Sequence, residues 1–279
     1  MHRAESTKIH ANAKVNLALR ITGRRADGYH RISSVFQEID AHDTLFFTAA
    51  DNYQLTCSNA ALPCGESNLC TRAYRALEKR YADHQPWQMH LEKNVPLGSG
   101  LGGGSADAAA VLVFLNRAWQ LQLSEPELLK IAATIGSDVP FFIRGKTQGV
   151  EGIGDILRPL QLPTRPLFLL VCPAVAISTA WAYRQFDLTK RKDGYKFDDL
   201  FEGNKIHYEL FENQFESVVF PAYPEIGRIK TTLLAQGAVH AGLSGSGSTV
   251  FGIFQEKETA EVARSYFAAY QTFLSLPIL

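Results

Sequence analysis

With 279 residues, 46% of them hydrophobic, the chain is long enough for one large or two ordinary domains with real cores. Lys plus Arg and Asp plus Glu both number 28, which excludes a whole-molecule field for holding nucleic acid or an anionic membrane. Cys57, Cys64, Cys70 and Cys172 have neither metal-ligand spacing nor the density of a disulfide scaffold, residues 1–6 lack a signal-peptide core, and no apolar run reaches about 18 residues, so a cytoplasmic protein is expected.

From Lys8 to Ile21 the odd positions are all apolar and the even ones mostly polar, the period of a half-buried strand. Lys14 and Asn16 then lie about 7 Å apart on the polar face. Such a face is ordinarily solvated. Two asparagines on it, Asn12 and Asn16, point to some further use, because Asn is disfavoured inside strands. Asp27-Gly28 marks a turn with Tyr29-His30 on its exit. Strands are expected at 34–39 and 44–48, a helix over 68–81, and a strand at 88–92.

Next comes Pro96-Leu97-Gly98-Ser99-Gly100-Leu101-Gly102-Gly103-Gly104-Ser105-Ala106, running into an alanine-rich helix former. Glycines let backbone N–H groups approach a ligand closely, and a helix start adds unpaired N–H groups and a positive dipole end. The combination is an anion site sized for phosphate. It is not a P-loop, because Ser105 follows Gly104 with no lysine between them. Gly98-x-Gly100-x-x-Gly103 matches the dinucleotide fingerprint, but another helix follows where that fold needs a strand.

Ser124-Glu125-Pro126-Glu127 is a capping box opening a helix that Gly136 closes. Asp138 follows on a short turn before an apolar stretch read as a strand, and aspartates in such turns ordinarily bond locally. Residues 149–155 read as a glycine turn before a strand at 155–160. Two prolines, Pro163 and Pro166, mark a boundary. A buried strand is expected at 167–172 and a mobile surface excursion at 186–203. Helices at 208–220, 224–235 and 257–270 follow, with strands at 240–243 and 249–254 joined by Ser244-Gly245-Ser246-Gly247-Ser248. This order implies a small α+β sandwich.

A lysine strand, a glycine-rich phosphate loop, a turn aspartate and a late Gly/Ser loop, in that order, resemble the motifs of the GHMP small-molecule kinases. The match rests on Ala13-Lys14-Val15-Asn16-Leu17, residues 25–30, residues 101–109, residues 136–141 and Gly242-Leu243-Ser244-Gly245-Ser246-Gly247. It runs over nearly the whole chain and is nearest the branch acting on a cytidine-diphosphate-linked methylerythritol. The resemblance implies an α+β, two-domain fold: a ribosomal-protein-S5-domain-2-like domain over 1–162 and a ferredoxin-like domain over 163–279. It implies transfer of a phosphoryl group from ATP to a tertiary hydroxyl, with Asp138 as general base and Lys14 as its partner.

The same resemblance implies ATP binding by residues 96–106, with Asn68 and Lys93 near the adenosine, and substrate binding by Asn16, Tyr29, His30 and Tyr183. Trp181 competes with Tyr183 for the cytosine. Mg²⁺ is expected with the nucleotide and not in a protein cage; the state expected is a monomer or weak homodimer, with no nucleic-acid or membrane partner. Other alcohols of the same kinases, a nicotinamide-dependent oxidoreductase and a non-catalytic nucleotide sensor are the alternatives.

Overall fold

The computed structural model describes residues 6–81, 84–203 and 205–279. Residues 1–5, within the stretch that lacks a signal-peptide core, lie outside them. In chain order come β1 (Thr7–Arg24), β2 (His30–Ala49), β3 (Gln54–Cys57), α1 (Leu69–Glu78), β4 (Trp87–Glu92), α2 (Gly103–Ala118), α3 (Glu125–Ile135) and α4 (Val139–Arg144). There follow β5 (Thr147–Gly152), β6 (Ile156–Leu160), β7 (Leu167–Cys172), α5 (Thr179–Gln185), β8 (Phe201–Glu202) and β9 (Lys205–Ile206). The rest is α6 (Glu216–Ala222), α7 (Pro224–Ala235), β10 (His240–Leu243), β11 (Val250–Phe254), α8 (Lys257–Ser265) and β12 (Gln271–Ser275).

These elements form two compact units, each assembled from separated segments. The first takes the chain up to Ala13, His42–Val95 and Gly103–Arg144; the second takes Lys14–Ala41, Pro96–Gly102 and Gly145–Leu279.

In the first unit β3 runs parallel to β4, and β4 pairs antiparallel with the end of β2, Leu45 opposite Leu91. Met89 and Leu91 of β4 turn inward while Gln88, His90 and Glu92 face water, the alternation of a sheet covered on one side. Phe47 stacks on Phe114 of α2 at 3.8 Å between ring centres, within a core that includes Tyr74, Leu77, Leu112 and Leu115. The Asn68 side chain accepts from the Cys70 N–H and caps α1. The Glu127 carboxylate accepts from the Ser124 N–H at 2.8 Å, the capping box expected for α3.

In the second unit β5 lies antiparallel between residues 32–37 of β2 and β6. A separate four-stranded antiparallel sheet has the order β10-β11-β7-β12. With α7 between β7 and β10 and α8 between β11 and β12, this is the ferredoxin-like arrangement. Phe168, Leu169, Leu170 and Val171 of the inner strand β7 are fully buried.

Several local expectations need correction. Residues 139–144 are helix α4, not a strand: a short apolar run fits either, and Pro140 suits a helix's first turn, where no N–H is missed. Gly149 lies inside β5, because a Cβ there would stand 2.8 Å from the Phe197 ring; the reversal falls later, with Gly152 (φ +70) and Gly154 (φ +110). Residues 186–203 are not a mobile excursion: Phe186, Tyr195, Phe197 and Leu200 are buried, and the Tyr195 N–H donates to Ser33 Oγ at 2.9 Å. The region 208–220 holds a single 3₁₀ turn and then α6, the last helix stops at Ser265, and α5 and β12 were not anticipated.

Candidate active site

In the second unit, two polar residues of a strand face that would ordinarily be solvated are covered: Lys14 and Asn16 are 3% and 2% exposed. The Lys14 ammonium donates to the Gly100 carbonyl at 2.9 Å and to Asn16 Oδ1 at 2.5 Å, and lies 4.7 Å from the centre of the Phe36 ring. Burying an ammonium is costly unless it is paired and hydrogen-bonded, and these acceptors offset part of that cost. Asn16 Nδ2 donates to Ser34 Oγ, and the Lys14 backbone N–H to the Leu101 carbonyl.

Gly98, Gly100 and Gly102 have φ of +62, +81 and +72. At Gly100 no side chain is possible: a Cβ would lie 2.1 Å from the Ser244 carbonyl oxygen. Ser244 Oγ donates to the Gly100 carbonyl at 2.9 Å, and the Thr249 N–H to the Ser99 carbonyl at 3.0 Å. Residues 244–249 thus brace the loop from behind.

His30 and Tyr183 stack in the same unit, ring centres 4.5 Å apart and 13° from parallel. Burial and then Arg24 lower the His30 pKa, favouring a neutral ring there. Phe215 meets Tyr183 edge-on at 4.9 Å, whereas Trp181 meets Tyr223 instead. Tyr29 is 63% exposed.

In the first unit α2 begins at Gly103, so Gly103, Gly104, Ser105 and Ala106 form its N-terminal turn, whose N–H groups lack intrahelical partners. Beneath them the Lys93 ammonium is held between Asp43 and Asp107, in ion pairs to both. Asp43 Oδ1 also accepts from the N–H groups of Asn94 and Val95, at 2.6 and 2.8 Å. A Cβ on Gly103 would come within 2.9 Å of Lys93 Nζ, so the network is packed directly under the helix start. Burial pushes the Asp107 carboxyl up to about 7 against the pull of Lys93, and Asp107 Oδ1 is buried with no hydrogen-bond partner.

Asn68 is occupied in capping α1 and in donating to the Pro63 carbonyl. Asp138 is half-buried on the turn between α3 and α4, where Ser137 Oγ donates to it at 3.4 Å. The second unit therefore gathers Lys14, Asn16, the first part of the glycine loop, His30 and Tyr183, while Asp138, Asn68, Lys93 and the start of α2 belong to the first. Residue types alone do not single out Asp43; for Asp107 the signal is an acid inside an alanine run.

Family profiles described as GHMP kinases N terminal domain and GHMP kinases C terminal match residues 68–146 and 197–271. A protein of Chlorobium chlorochromatii named 4-diphosphocytidyl-2-C-methyl-D-erythritol kinase is 44% identical over 269 residues, covering 94% of this chain and 93% of its own. The like-named protein of Pelobacter propionicus is 40% identical, over 94% of each. This chain belongs to the GHMP kinases.

A solved 4-(cytidine 5'-diphospho)-2C-methyl-D-erythritol kinase is 29% identical with a TM-score of 0.85, covering 97% of this chain and 99% of that one. The Methanococcus jannaschii mevalonate kinase, 14% identical with a TM-score of 0.72, shares the GHMP kinase fold. The dinucleotide reading falls with the family, and the structure supplies the reason: α2 is followed by α3, where that fold needs a strand.

Proposed function

We infer that this chain is an ATP-dependent kinase that phosphorylates the 2-hydroxyl of 4-diphosphocytidyl-2-C-methyl-D-erythritol in the non-mevalonate route to isoprenoid precursors. The carrying observation is the likeness to kinases of that name along nearly the full length of both chains. The glycine loop and the α2 N-terminus offer backbone N–H groups to the nucleotide's phosphates. Phosphoryl transfer needs little covalent help, so positioning and charge neutralisation supply most of the rate. Lys14, fixed on Gly100 and Asn16, is the cation assigned to that work, and Asp138 is the base assigned to the substrate hydroxyl.

The His30–Tyr183 stack offers flat, largely neutral surface to a cytosine, with Tyr29 exposed beside His30 in sequence. A buried salt bridge and a helix cap already engage Lys93 and Asn68, so any service to the adenosine would come from their backbone or from a rearranged side chain. Among the described residues no three His, Cys, Asp or Glu side chains cluster to hold a metal ion. The Ser105 hydroxyl, half-buried in the first turn of α2, suits an ion arriving on the nucleotide's phosphates. Mg²⁺ bound there would neutralise charge on the transferred group.

The same reading carries a division into family domains at 162/163, a cytoplasmic setting and a monomer or weak homodimer. No described helix is long and apolar enough to cross a membrane. An ADP-release assay with the cytidyl alcohol beside mevalonate, homoserine and galactose tests the function. Turnover is expected with the first alone, and turnover with another alcohol in its place would overturn the assignment.

A further inference from the structure

Asn213 is buried, at 6% exposed, and has no part in the reading above. Its side-chain amide donates to two carbonyls of the late glycine turn: Leu243 at 2.7 Å and Gly245 at 2.8 Å. The amide oxygen accepts from the Phe215 N–H at 3.0 Å, so its orientation follows from the network. Three residues on, Glu216 Oε1 accepts from the Leu243 N–H at 3.0 Å, while its other oxygen pairs with Lys230 at 2.6 Å. One short segment therefore grips the turn by both carbonyls and an amide.

The turn so gripped is the one that meets Lys14 and Asn16. The Asn16 N–H donates to Ser244 Oγ at 3.3 Å, and Ser244 Oγ in turn donates to the Gly100 carbonyl that Lys14 also uses. A Cβ at Gly245, where φ is +58, would stand 3.3 Å from Asn16 Oδ1 and 3.6 Å from Lys14 Nζ. The Gly245 backbone is thus a wall behind both side chains. We propose that Asn213 is a positioning residue for phosphoryl transfer: it locks the Leu243–Gly245 turn so that the turn fixes the Lys14 ammonium against Gly100 and Asn16. The proposal rests on the reading that Lys14 serves the transfer.

Asn213→Asp is the sharpest test, since it keeps shape and the acceptor but turns a carboxylate on two carbonyls. At about pH 8, turnover is expected to fall about 10–100-fold, the penalty of a reacting group held slightly out of place, while the apparent KM for ATP changes by less than about threefold. Burial raises a carboxyl's pKa, and the protonated form regains one donor. The ratio of variant to wild-type kcat should therefore climb as the pH falls to about 6, which a generally loosened fold would not produce.

Gln214→Ala, removing bonds from the Ile21 N–H and to the Lys190 carbonyl at 2.6 and 3.0 Å, is the control and should keep kcat within about twofold. Lys14→Ala is assayed alongside. If it turns over normally, the reading of Lys14 fails and the proposal with it. If Lys14→Ala is inactive yet Asn213→Asp matches wild type, shows a pH-independent ratio, or loses no more than Gln214→Ala, the proposal alone is overturned. Should the aspartate variant not fold, Asn213→Ser, which keeps one donor, is expected to show a smaller loss of kcat than Asn213→Ala, and equal activity in all three folded proteins would overturn it.

Discussion

Asp138 and the His30–Tyr183 pair carry the sharpest expectations at the level of single side chains. Asp138→Asn keeps size and removes the basic oxygen, so turnover should fall by about 10²–10⁴. Calorimetric affinity for ATP should stay nearly unchanged, and unaltered turnover would reduce the aspartate to a local turn residue. His30→Ala and Tyr183→Ala each remove half of a stack, an interaction of about 0.5–1.5 kcal/mol. The cytidyl substrate's KM should rise by up to roughly tenfold while that of ATP holds, and equal losses on both ligands would place the pair outside the base pocket. Trp181 serves as the internal comparison, because it is turned to Tyr223 and its replacement should not discriminate between the ligands.

At the scale of elements, α2 carries a buried acid near its start, Asp107. Asp107, whose carboxyl is pushed up by burial, favours its neutral form in the folded chain relative to the unfolded one. That contribution is fully present below the ordinary carboxylate range and is lost as the pH rises through the folded value of about 7. The melting temperature of wild type minus that of Asp107→Asn should therefore shrink from pH 5 to pH 8, measured by thermal melts across that window. A gap that stays constant across that window would show that Lys93 holds Asp107 ionised throughout.

Which elements could be read beforehand follows from how local their signals are. The helices α3 and α7 announce themselves by a capping box and by Pro224, and β1 by apolar residues at every odd position from Ile9 to Ile21. By contrast, α4 was misread because five apolar residues carry no period. Gly149 was misread because its reason lies in Phe197, forty-eight positions away along the sequence. Lys14, Asn16 and the glycine loop could be singled out from residue types and spacing, with roles that came from family likeness. Asp43 and Asn213 could not, since only folding brings an ordinary strand aspartate under a helix start or an ordinary asparagine onto a distant turn.

Across the whole molecule, charges cancel, so no net field draws a polyanion to the surface. The second unit illustrates a different whole-chain property. Its inner strand β7 is flanked by β11 and by β12, whose first residue lies almost a hundred positions further along. During synthesis the Leu167–Cys172 backbone must therefore wait with one side unzipped until residue 275 clears the ribosome, and such distant pairings close slowly. A chain stopped after Tyr270 should accumulate in the pellet, because a bare apolar strand invites neighbouring chains to pair with it. Full solubility of that truncated chain in a sedimentation assay would mean that the last strand is dispensable, and co-expressed chaperones should matter most in the interval before it arrives.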